Sequence, residues 1–519
     1  EEDELGITLA LIPRETPGVE IGRRHFPLNA AFMNGPNRGR DVFIPFDYII
    51  GGRERIGQGW IMLMNCLSVG RSISLPSGGT ATAKKAALTT GAYARVRRQF
   101  NIPIGEFEGV QEALARIGGH SYVMDAARCM TAGAVDMGEE PAVLSAVVKY
   151  HLTERARQCV NDAMDIHGGK GICLGPNNYL GRAYESMPIS ITVEGSNILT
   201  RNMMIFGQGA IRCHPYVLKE ILATQKDDTD PEAARAEFDR LLVGHLGFAT
   251  SNALRSLFLG LTGARVAGAA GSHETRRYYQ HLSRFAACFA LLADVAMLVM
   301  GGSLKRRERL SARFGDVLSY LYLASATLKR FEDQGRPRDD LAFVQWGLED
   351  ALYTIQCRLD EILVNFPSRA LGRALRVLVF PLGRRFRPAS DRTGARVARL
   401  LMEPGEARER LVEGCHRTES RDDASGRVEY AFRRMVELEP VQRRIDKAIR
   451  SSELTVDWDQ DPLDAAREAG VVNEQEYEAL KDADAARRAV IMVDDFDHSE
   501  LARSSDQPAA LSEAKEGHG

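Results

Sequence analysis

The stretch with the clearest potential for chemistry covers residues 165–201, where a cluster of glycines is followed by a carboxylate in an apolar run. Gly168, Gly169 and Gly171 close a long helical pattern, and a turn without side chains lets bare backbone approach a ligand. About one loop later comes Glu194-Gly195. A carboxylate in such a run is a candidate general base, because desolvation tunes it toward proton abstraction.

Both features also have ordinary structural interpretations. The glycines could form only the C-terminal cap of a helix. Glu194 could be a hydrogen-bonded structural group, or an acid favoured by the dipole of a helix that begins near Ser196. Spacing alone does not decide between these readings.

Composition is that of an ordinary globular protein, with 519 residues, 44% hydrophobic, 26% charged and a formal net charge of −3. This length allows two or three domains with large cores. The near-balance of charge argues against a general nucleic-acid binder. The eight cysteines are scattered without a CxxC pair, so we predict reduced thiols and no metal site.

The first residue is Glu1 rather than Met, and we recognise no secretory or transit segment, so we expect an N-terminally truncated chain. The most apolar segment, 285–302, carries Asp294 in its middle. Since helical pattern continues on both sides, a buried bundle helix is favoured over a membrane span.

Residues 1–58 predict β-structure, with strands at 7–12, 19–21 and 41–44 separated by turns. Too few strands are present to bury a sheet face, so this block is expected to be half of a domain. From Gln58 the apolar period becomes helical. Helices are predicted over four segments: 60–98 with an interruption at 74–79, 107–136, 141–166 and 196–211. Four such helices with short links suggest a bundle.

A polar stretch at 225–230 predicts a boundary, after which 231–500 is again helical and 501–519 is expected to be a disordered tail. The fold class is therefore mainly α with a small β part. Three parts are expected before the tail: residues 1–58, a bundle at 59–224, and an additional all-α domain at 231–500. His245, His273, His281 and His416 are too scattered in sequence for a metal site to be predicted.

Several separated elements in residues 1–215 together carry a family resemblance. In order they are Val-Phe-Ile-Pro at 42–45, Gly57-Gln58-Gly59-Trp60, Val69-Gly70-Arg71, Tyr93-Ala94 with Arg97 to Phe100, Gln111, Lys149, His167 to Gly171, and Val193-Glu194-Gly195. This order resembles the C-terminal half of acyl-coenzyme A dehydrogenases. From residue 230 the chain looks like the helical extension of the large bacterial fatty acyl-CoA dehydrogenase of β-oxidation.

The resemblance implies FAD-dependent dehydrogenation of medium- or long-chain fatty acyl-CoA to trans-2-enoyl-CoA, the first step of fatty-acid β-oxidation. Glu194 matches the family's catalytic base, and Arg71 and Gly195 match substrate-binding positions. The positions implied to bind the cofactor are Arg97, Phe100, Gln111, Asp165, Gly168, Gly169 and Ser196. We expect Ile191, Val193 and Ile198 to desolvate the base.

The chain departs from the family pattern at several cofactor-facing positions. Asn101 replaces the usual Gly after Phe100, Asp165 stands where Gln is usual, and Ile198 stands where Gln is common. Around the base, Val193 replaces Tyr and Ser196 replaces Thr. The resemblance also places the family's N-terminal helical domain and first β half outside this chain, so the chain alone is expected to be inactive.

The resemblance further implies an electron-transfer flavoprotein as acceptor and a homodimer. Residues 369–399 hold nine arginines and one acid, Asp391. A basic amphipathic helix at 368–380 could contact the anionic inner membrane from the bacterial cytoplasm, or form a salt-bridged face. Two rival functions stay open: a non-catalytic helical interaction protein, and a flavin monooxygenase on the same fold, against which the retained Glu194 argues.

Overall fold

The N-terminal segment forms much less sheet than its pattern predicts. A computed structural model describes residues 5–30, 34–225 and 231–505 of the chain. Strand β1 (Val19–Ile21) pairs antiparallel with β2 (Asn37–Gly39), and Ala10 forms an isolated bridge with Ile49. The strands predicted at 7–12 and 41–44 are wrong. In 7–12 the described pairing is limited to the Ala10–Ile49 bridge, with its hydrogen bonds from Leu11 to Tyr48 and from Ile50 to Leu9. Several apolar side chains of the two segments are exposed, among them Leu11 and Phe43.

The first helices run almost without a break from residue 59 to 96. Helix α1 (Gly59–Val69) continues through a π-helix (Gly70–Ser74) into α2 (Leu75–Val96). The interruption predicted at 74–79 is wrong: Pro76 lies within the continuous helical run, directly after the π-helix, where the hydrogen-bond ladder is already shifted because the Leu75 N–H donates to the Gly70 carbonyl. The irregularity lies just before it, in the π-helix.

A four-helix bundle follows, as predicted. After the hairpin of β3 (Arg98–Gln99) and β4 (Ile102–Pro103), the helices are α3 (Glu108–Asp136), α4 (Ala142–His167), α5 (Gly169–Ile172), α6 (Gly181–Thr192), α7 (Asn197–Leu199), a second π-helix (Thr200–Gln208), α8 (Gly209–Cys213) and α9 (Val217–Gln225). Helices α2, α3, α4 and the helical run 197–213 pack around a core rich in alanine, valine and leucine.

A second set of helices packs directly on this bundle. Its members are α10 (Pro231–Leu261), α11 (Arg276–Met300), α12 (Glu308–Asp333), α13 (Leu341–Val364), α14 (Arg369–Val379), α15 (Asp391–Met402), α16 (Glu406–Leu411), α17 (Ala424–Glu437), α18 (Glu439–Arg450), α19 (Pro462–Glu468), α20 (Glu474–Ile491) and α21 (His498–Ser505). Helix α12 lies on α3 and the second π-helix, and α15 lies on α3. One apolar core therefore runs through both sets.

Buried ion pairs join the two helical sets. Asp125 of α3 accepts from Lys84 of α2 at 2.8 Å and from Arg330 of α12 at 2.6 Å. Although burial acts to raise it, these cations hold the pKa of Asp125 below its usual value. Arg408, which is fully buried, pairs with Glu429 and also donates to the Leu88 carbonyl. Removing one partner of such a pair leaves a buried charge without compensation.

The most apolar helix and the C-terminal helices differ from the main core in how they are buried. By length and composition alone the helical segment Arg276–Arg306 could cross a membrane, but half of its most apolar part is buried against the described chain. Residues 438–483 hold a small separate core under α18, α19 and α20. Helix α21 extends to Ser505, so the beginning of the tail predicted as disordered is helical, and 506–519 lie outside the described residues.

Candidate functional site

Glu194 lies in a short turn between two helices, and its backbone conformation is unusual. Helix α6 ends at Thr192 and α7 begins at Asn197. Between them Glu194 has φ 52° and Gly195 has φ 91°. A left-handed conformation costs a non-glycine residue about 1–3 kcal/mol and clusters at functional sites. The surrounding structure must therefore hold this turn in place.

The Glu194 carboxylate packs against the backbone of Gly70. A β-carbon added to Gly70 would lie 2.4 Å from Oε1 and 2.6 Å from Oε2 of Glu194, so only glycine leaves room for both oxygens. Oε2 is buried and has no hydrogen-bond partner among the described residues. A buried acceptor without a partner requires an explanation, and a reacting C–H group of a substrate would supply one.

Two buried cations hold the backbone of the turn. Arg71 Nε donates to the Glu194 carbonyl at 3.0 Å, and Lys149 Nζ donates to the Gly195 carbonyl at 2.7 Å. Lys149 Nζ also donates to Asn197 Oδ1 at 2.7 Å and to the Ile191 carbonyl at 3.4 Å. These contacts fix the turn from both ends and leave the carboxylate of Glu194 free of ion pairs with either cation.

Lys149 is the functional residue to which sequence reasoning gave no role. Burial, followed by repulsion from Arg71, lowers the pKa of Lys149 to about 8. Burial likewise lowers the pKa of Arg71, against the opposing effect of Glu194. The available signal was a lysine flanked in α4 by Val147, Val148 and Leu152, all of which are buried. A lysine in an apolar stripe needs polar partners.

Both sides of the turn are flanked by π-helices. The first, Gly70–Ser74, contains the glycine under the carboxylate and Arg71. The second, Thr200–Gln208, follows the turn directly through α7. π-Helical turns are rare and frequently occur at functional sites. The predicted substrate residues Arg71 and Gly195 are thus brought together with Glu194.

The apolar surround predicted for Glu194 is not built as expected. Val193 is 40% exposed and Ile198 is 77% exposed. Ser196 instead caps α7 by accepting from the Leu199 N–H, which confirms a helix beginning just after the acid. Ile191 is half-buried, so two of the three side chains that were expected to desolvate the base are exposed.

The hairpin predicted to contact the cofactor places an aromatic ring in solvent. Phe100 and Asn101 form its two-residue turn with φ 52° and 66°, the values that a type I′ turn requires. Phe100 is 88% exposed, and its ring meets Phe107 edge-on at 6.3 Å. A strained and exposed phenylalanine suits stacking on a planar ligand. Arg97, half-buried, caps the end of α2 beside it.

The glycine cluster caps α4 and leaves an open surface. Gly168 has φ 54° and ψ −127°, a conformation open almost only to glycine, and β-carbons at Gly168 and Gly169 would meet nothing within 4 Å. His167 anchors the turn, with its Nδ1 on the Ala163 carbonyl and its Nε2 on the Tyr179 hydroxyl. This surface fits a diphosphate that approaches backbone closely.

Two predicted cofactor residues lie apart from these features. Gln111 lines another cavity, of about 620 Å³, together with the acidic residues Glu108, Glu112 and Asp391. Asp165 is exposed on the last turn of α4. Neither residue shares a described cavity with Phe100, whose own cavity of about 390 Å³ is formed with Met435, Leu480 and Arg487.

The structure also assembles residues that the sequence separates. His214, His245 and Asp294 have ligand atoms within 4.8 Å of one another, although His245 was judged too isolated to contribute to a metal site. His214 Nδ1 accepts from the Tyr216 and Val217 amides, so its proton lies on Nε2, which donates to Asp294 at 2.6 Å. That arrangement provides a partner for one oxygen of the buried Asp294, while Oδ2 has none among the described residues, and it leaves His214 without a lone pair for a metal.

The arginine-rich stretch is partly salt-bridged, and membrane contact through it stays a prediction. In α14, Leu375 and Val379 are buried in the core, so the apolar face is not free to enter a membrane. Arg376 and Arg384 pair with Asp360. Arg373 is exposed and has no ion pair among the described residues.

Two models of one protein family match most of the chain. The family model described as acyl-CoA dehydrogenase, C-terminal, bacterial type matches residues 211–496, and the acyl-CoA dehydrogenase C-terminal domain matches residues 57–206. The chain therefore belongs to the acyl-CoA dehydrogenase family. The resemblance noted in the sequence is confirmed.

Individual relatives cover only parts of the chain. Protein HemX of Proteus mirabilis is 62% identical over 92 residues, 18% of this chain and 54% of that protein. The probable acyl-CoA dehydrogenase FadE10 of Mycobacterium tuberculosis is 26% identical over 344 residues, 63% of this chain and 50% of that protein. The chain spans about half the length of these relatives.

A solved structure shows the same fold. The acyl-CoA dehydrogenase of Bacillus anthracis, crystallised with FAD, superposes with a TM-score of 0.56 at 18% identity, covering 76% of this chain and 65% of that one. At this identity the likeness establishes the fold alone. The mainly helical architecture is accordingly confirmed.

Proposed function

We propose that the full-length protein containing this chain catalyses FAD-dependent α,β-dehydrogenation of medium- or long-chain fatty acyl-CoA to trans-2-enoyl-CoA, as the first step of fatty-acid β-oxidation. The observation that carries this proposal is the Glu194 carboxylate, held in a strained turn against Gly70 with one oxygen buried and unpartnered. Membership of the family supports the same reaction class.

In this reaction Glu194 removes a proton from the Cα of the thioester. Arg71 and Lys149 donate to backbone carbonyls around Glu194, and Lys149 also donates to the Asn197 side chain. Neither forms an ion pair with the Glu194 carboxylate among the described residues, so they fix its position without neutralising it. A base that is already placed needs no reorganisation when the proton leaves. When bound, FAD supplies the acceptor for the hydride that departs from Cβ.

Residues of this chain fit part of the cofactor. The exposed ring of Phe100 offers a stacking surface, Arg97 offers a guanidinium fork, and Gly168 with Gly169 offers backbone free of side chains. Gln111, Asp165 and Ser196 remain predictions as cofactor residues. Since Gly168 and Gly169 are exposed, the diphosphate would meet them at the surface of α4.

The decisive experiment follows the visible absorbance of the flavin in the full-length protein after addition of palmitoyl-CoA. Loss of absorbance in the wild type but not in Glu194→Gln supports proton abstraction by Glu194. Equal loss in both proteins would place the base elsewhere. A protein that never carries flavin would favour the helical interaction protein, and oxygenated product would favour the monooxygenase.

The partners form part of the same proposal. We propose an electron-transfer flavoprotein as electron acceptor, a homodimer, and a cytoplasmic location with peripheral contact to the bacterial inner membrane through residues 368–399. Because the apolar face of α14 is buried, this contact would be electrostatic and sensitive to salt.

A further inference from the structure

A cavity of about 580 Å³ lies between the two helical sets, on a different face of α4 from Lys149. Residues of α3, α4, α12, α13 and the second π-helix line it. Its charged lining consists of four arginines and two carboxylates, namely Arg155, Arg157, Arg201, Arg358, Glu154 and Asp316. The lining is therefore cationic on balance.

The two carboxylates together already form ion pairs with three of the four arginines. Asp316 accepts from Arg201 at 2.6 and 2.9 Å and lies 2.9 Å from Arg358. Glu154 pairs with Arg157. This leaves Arg155 as the lining arginine whose charge is not balanced by a direct ion pair.

Arg155 is 6% exposed and has no carboxylate within 4 Å in the part of the chain that the structure describes. Its Nη1 lies 2.7 Å from His151 Nδ1, and its guanidinium lies over the Tyr320 ring at 5.1 Å. Its Nε has no hydrogen-bond partner there. Asp350 lines a small neighbouring cavity together with Arg155. Burial raises the pKa of its carboxyl, against the opposing effect of Arg155.

His151 provides a second unused donor beside Arg155. Burial, followed by the charges of Arg155 and Arg201, lowers the pKa of His151 well below its usual value, so the ring is neutral near pH 7. Since Nδ1 accepts from Arg155, the proton lies on Nε2, which is buried and unpartnered. Leaving a buried donor unsatisfied is unfavourable unless another group completes it.

We propose that this cavity binds the di- or triphosphate group of an anionic ligand, held by Arg155, the His151 Nε2–H and Arg157. Guanidinium groups match phosphate geometry with paired hydrogen bonds. The four lining arginines outnumber the two lining carboxylates, so the cavity carries an excess of positive charge. A polyvalent anion would neutralise this excess, whereas a ligand with one carboxylate would neutralise only part of it. The cavity has ample volume for such a group.

The position of the cavity gives the ligand a structural effect. Arg155 and Arg157 belong to the segment 57–206, whereas Asp316 and Arg358 belong to 211–496, the two regions matched by separate family models. A ligand bound only to the folded protein stabilises it by mass action. Occupancy would therefore raise the melting temperature by holding α4 against α12 and α13.

The test is calorimetric titration of the flavin-loaded full-length protein with pyrophosphate, tripolyphosphate and ATP at constant ionic strength. We expect saturable binding of at least one probe, and loss of affinity by about 10-fold or more in Arg155→Gln. Arg157→Gln should weaken binding several-fold. Because Arg157 is more exposed than Arg155, this second variant should fold normally and still tests the proposal if Arg155→Gln misfolds. ATP binding more tightly than tripolyphosphate would identify a nucleotide, and equal affinities a free polyphosphate.

The matched control is Arg399→Gln, which removes the same charge from an exposed arginine whose nearest carboxylate is 4.0 Å away. The Arg399→Gln protein should bind each phosphate probe with the same affinity as the wild type. Equal weakening in Arg399→Gln and Arg155→Gln, or no saturable binding of any probe, would overturn the proposal. Flavin content should be unchanged in all variants, which separates this site from the cofactor.

Discussion

Lys149 and Arg155 are both buried cations of α4, six residues apart, yet their surroundings differ completely. Lys149 donates to three oxygens of the turn that carries Glu194. Arg155 contacts one histidine nitrogen and has an unpartnered Nε. A cation whose donors are satisfied locally positions backbone, whereas a cation with unused donors is suited to a ligand. If this is correct, substitutions on the Lys149 face should affect the turn of Glu194, and substitutions on the Arg155 face should affect ligand binding, each without the other.

The largest effect is expected from Glu194→Gln, which keeps the shape of the side chain but removes the base. Dehydrogenation by the full-length protein should fall by about 10²–10⁴-fold, the usual contribution of general base catalysis. Polyphosphate affinity should not change, because the cavity around Arg155 does not contain this residue. A parallel loss of binding would show that the two faces are coupled.

The next effect is expected from Lys149→Met, which leaves the Gly195 carbonyl and Asn197 without their donor. The free energy of unfolding should decrease by about 2–4 kcal/mol, as for buried polar groups that lose a charged partner. Chemical denaturation measures this change. Lys329→Met, at a lysine that is 58% exposed and whose one ion pair among the described residues is with Asp333, should change stability little.

The same lysine makes a pH-dependent contribution whose sign can be stated. Burial lowers the pKa of Lys149 in the fold to about 8, from 10.5 as its ordinary value. Between these values the unfolded chain binds more protons, so this group adds stability as pH rises through the window. The difference in unfolding free energy between wild type and Lys149→Met should therefore grow from pH 8 to 10, and a flat difference would contradict it.

Gly70→Ala tests the packing of the Glu194 carboxylate with a smaller change. The new methyl group would overlap both carboxylate oxygens, so activity should fall by roughly 10-fold, as a displacement near 1 Å can cost even more. Helix propensity should keep stability near the wild-type value. Gly78→Ala, where a β-carbon meets nothing within 4 Å, is the matched control and should retain full activity.

The smallest effect concerns the surface of α14. Arg373→Gln removes an exposed arginine without a described ion pair, and binding to anionic lipid vesicles should weaken about 5-fold, since each such charge contributes about 1 kcal/mol. Arg376→Gln removes an arginine already paired with Asp360 and should weaken binding less. Vesicle sedimentation at low and high salt measures both, and equal affinities would argue against membrane contact through this helix.

The parts of the molecule that depend on local pattern were predictable from sequence. Apolar spacing placed α3 and α4 within two residues of their observed ends, and the family resemblance selected Glu194. At 7–12 the chain forms a single antiparallel bridge to Ile49 instead of a strand, because the length of a ladder depends on partner residues that local pattern does not reveal. The break predicted at 74–79 failed because the π-helix just before Pro76 lets the helical run continue through the proline, and local pattern does not reveal a π-helix.

Features that depend on distant contacts were beyond reach. His214 lies between α8 and α9, His245 in α10 and Asp294 in α11, so the three meet only because α10 packs on both α9 and α11. The unused donors of Arg155 and His151 become visible only when α12 and α13 close over α4. Lys149 belongs to the family pattern, but its three acceptors depend on a turn that local propensity disfavours.

The two π-helices beside Glu194 also have a consequence for comparing related genes. Each π-turn accommodates one more residue per hydrogen-bonded turn than an α-helix does. Deleting a single residue from Gly70–Ser74 would turn the π-helix into a regular α-helix. Because each residue of an α-helix turns the chain by about 100°, helix α1 would rotate by about that angle relative to α2. Single-residue gaps at this segment or at Thr200–Gln208 should therefore mark relatives that have lost this arrangement of the base, even where a glutamate aligns with Glu194.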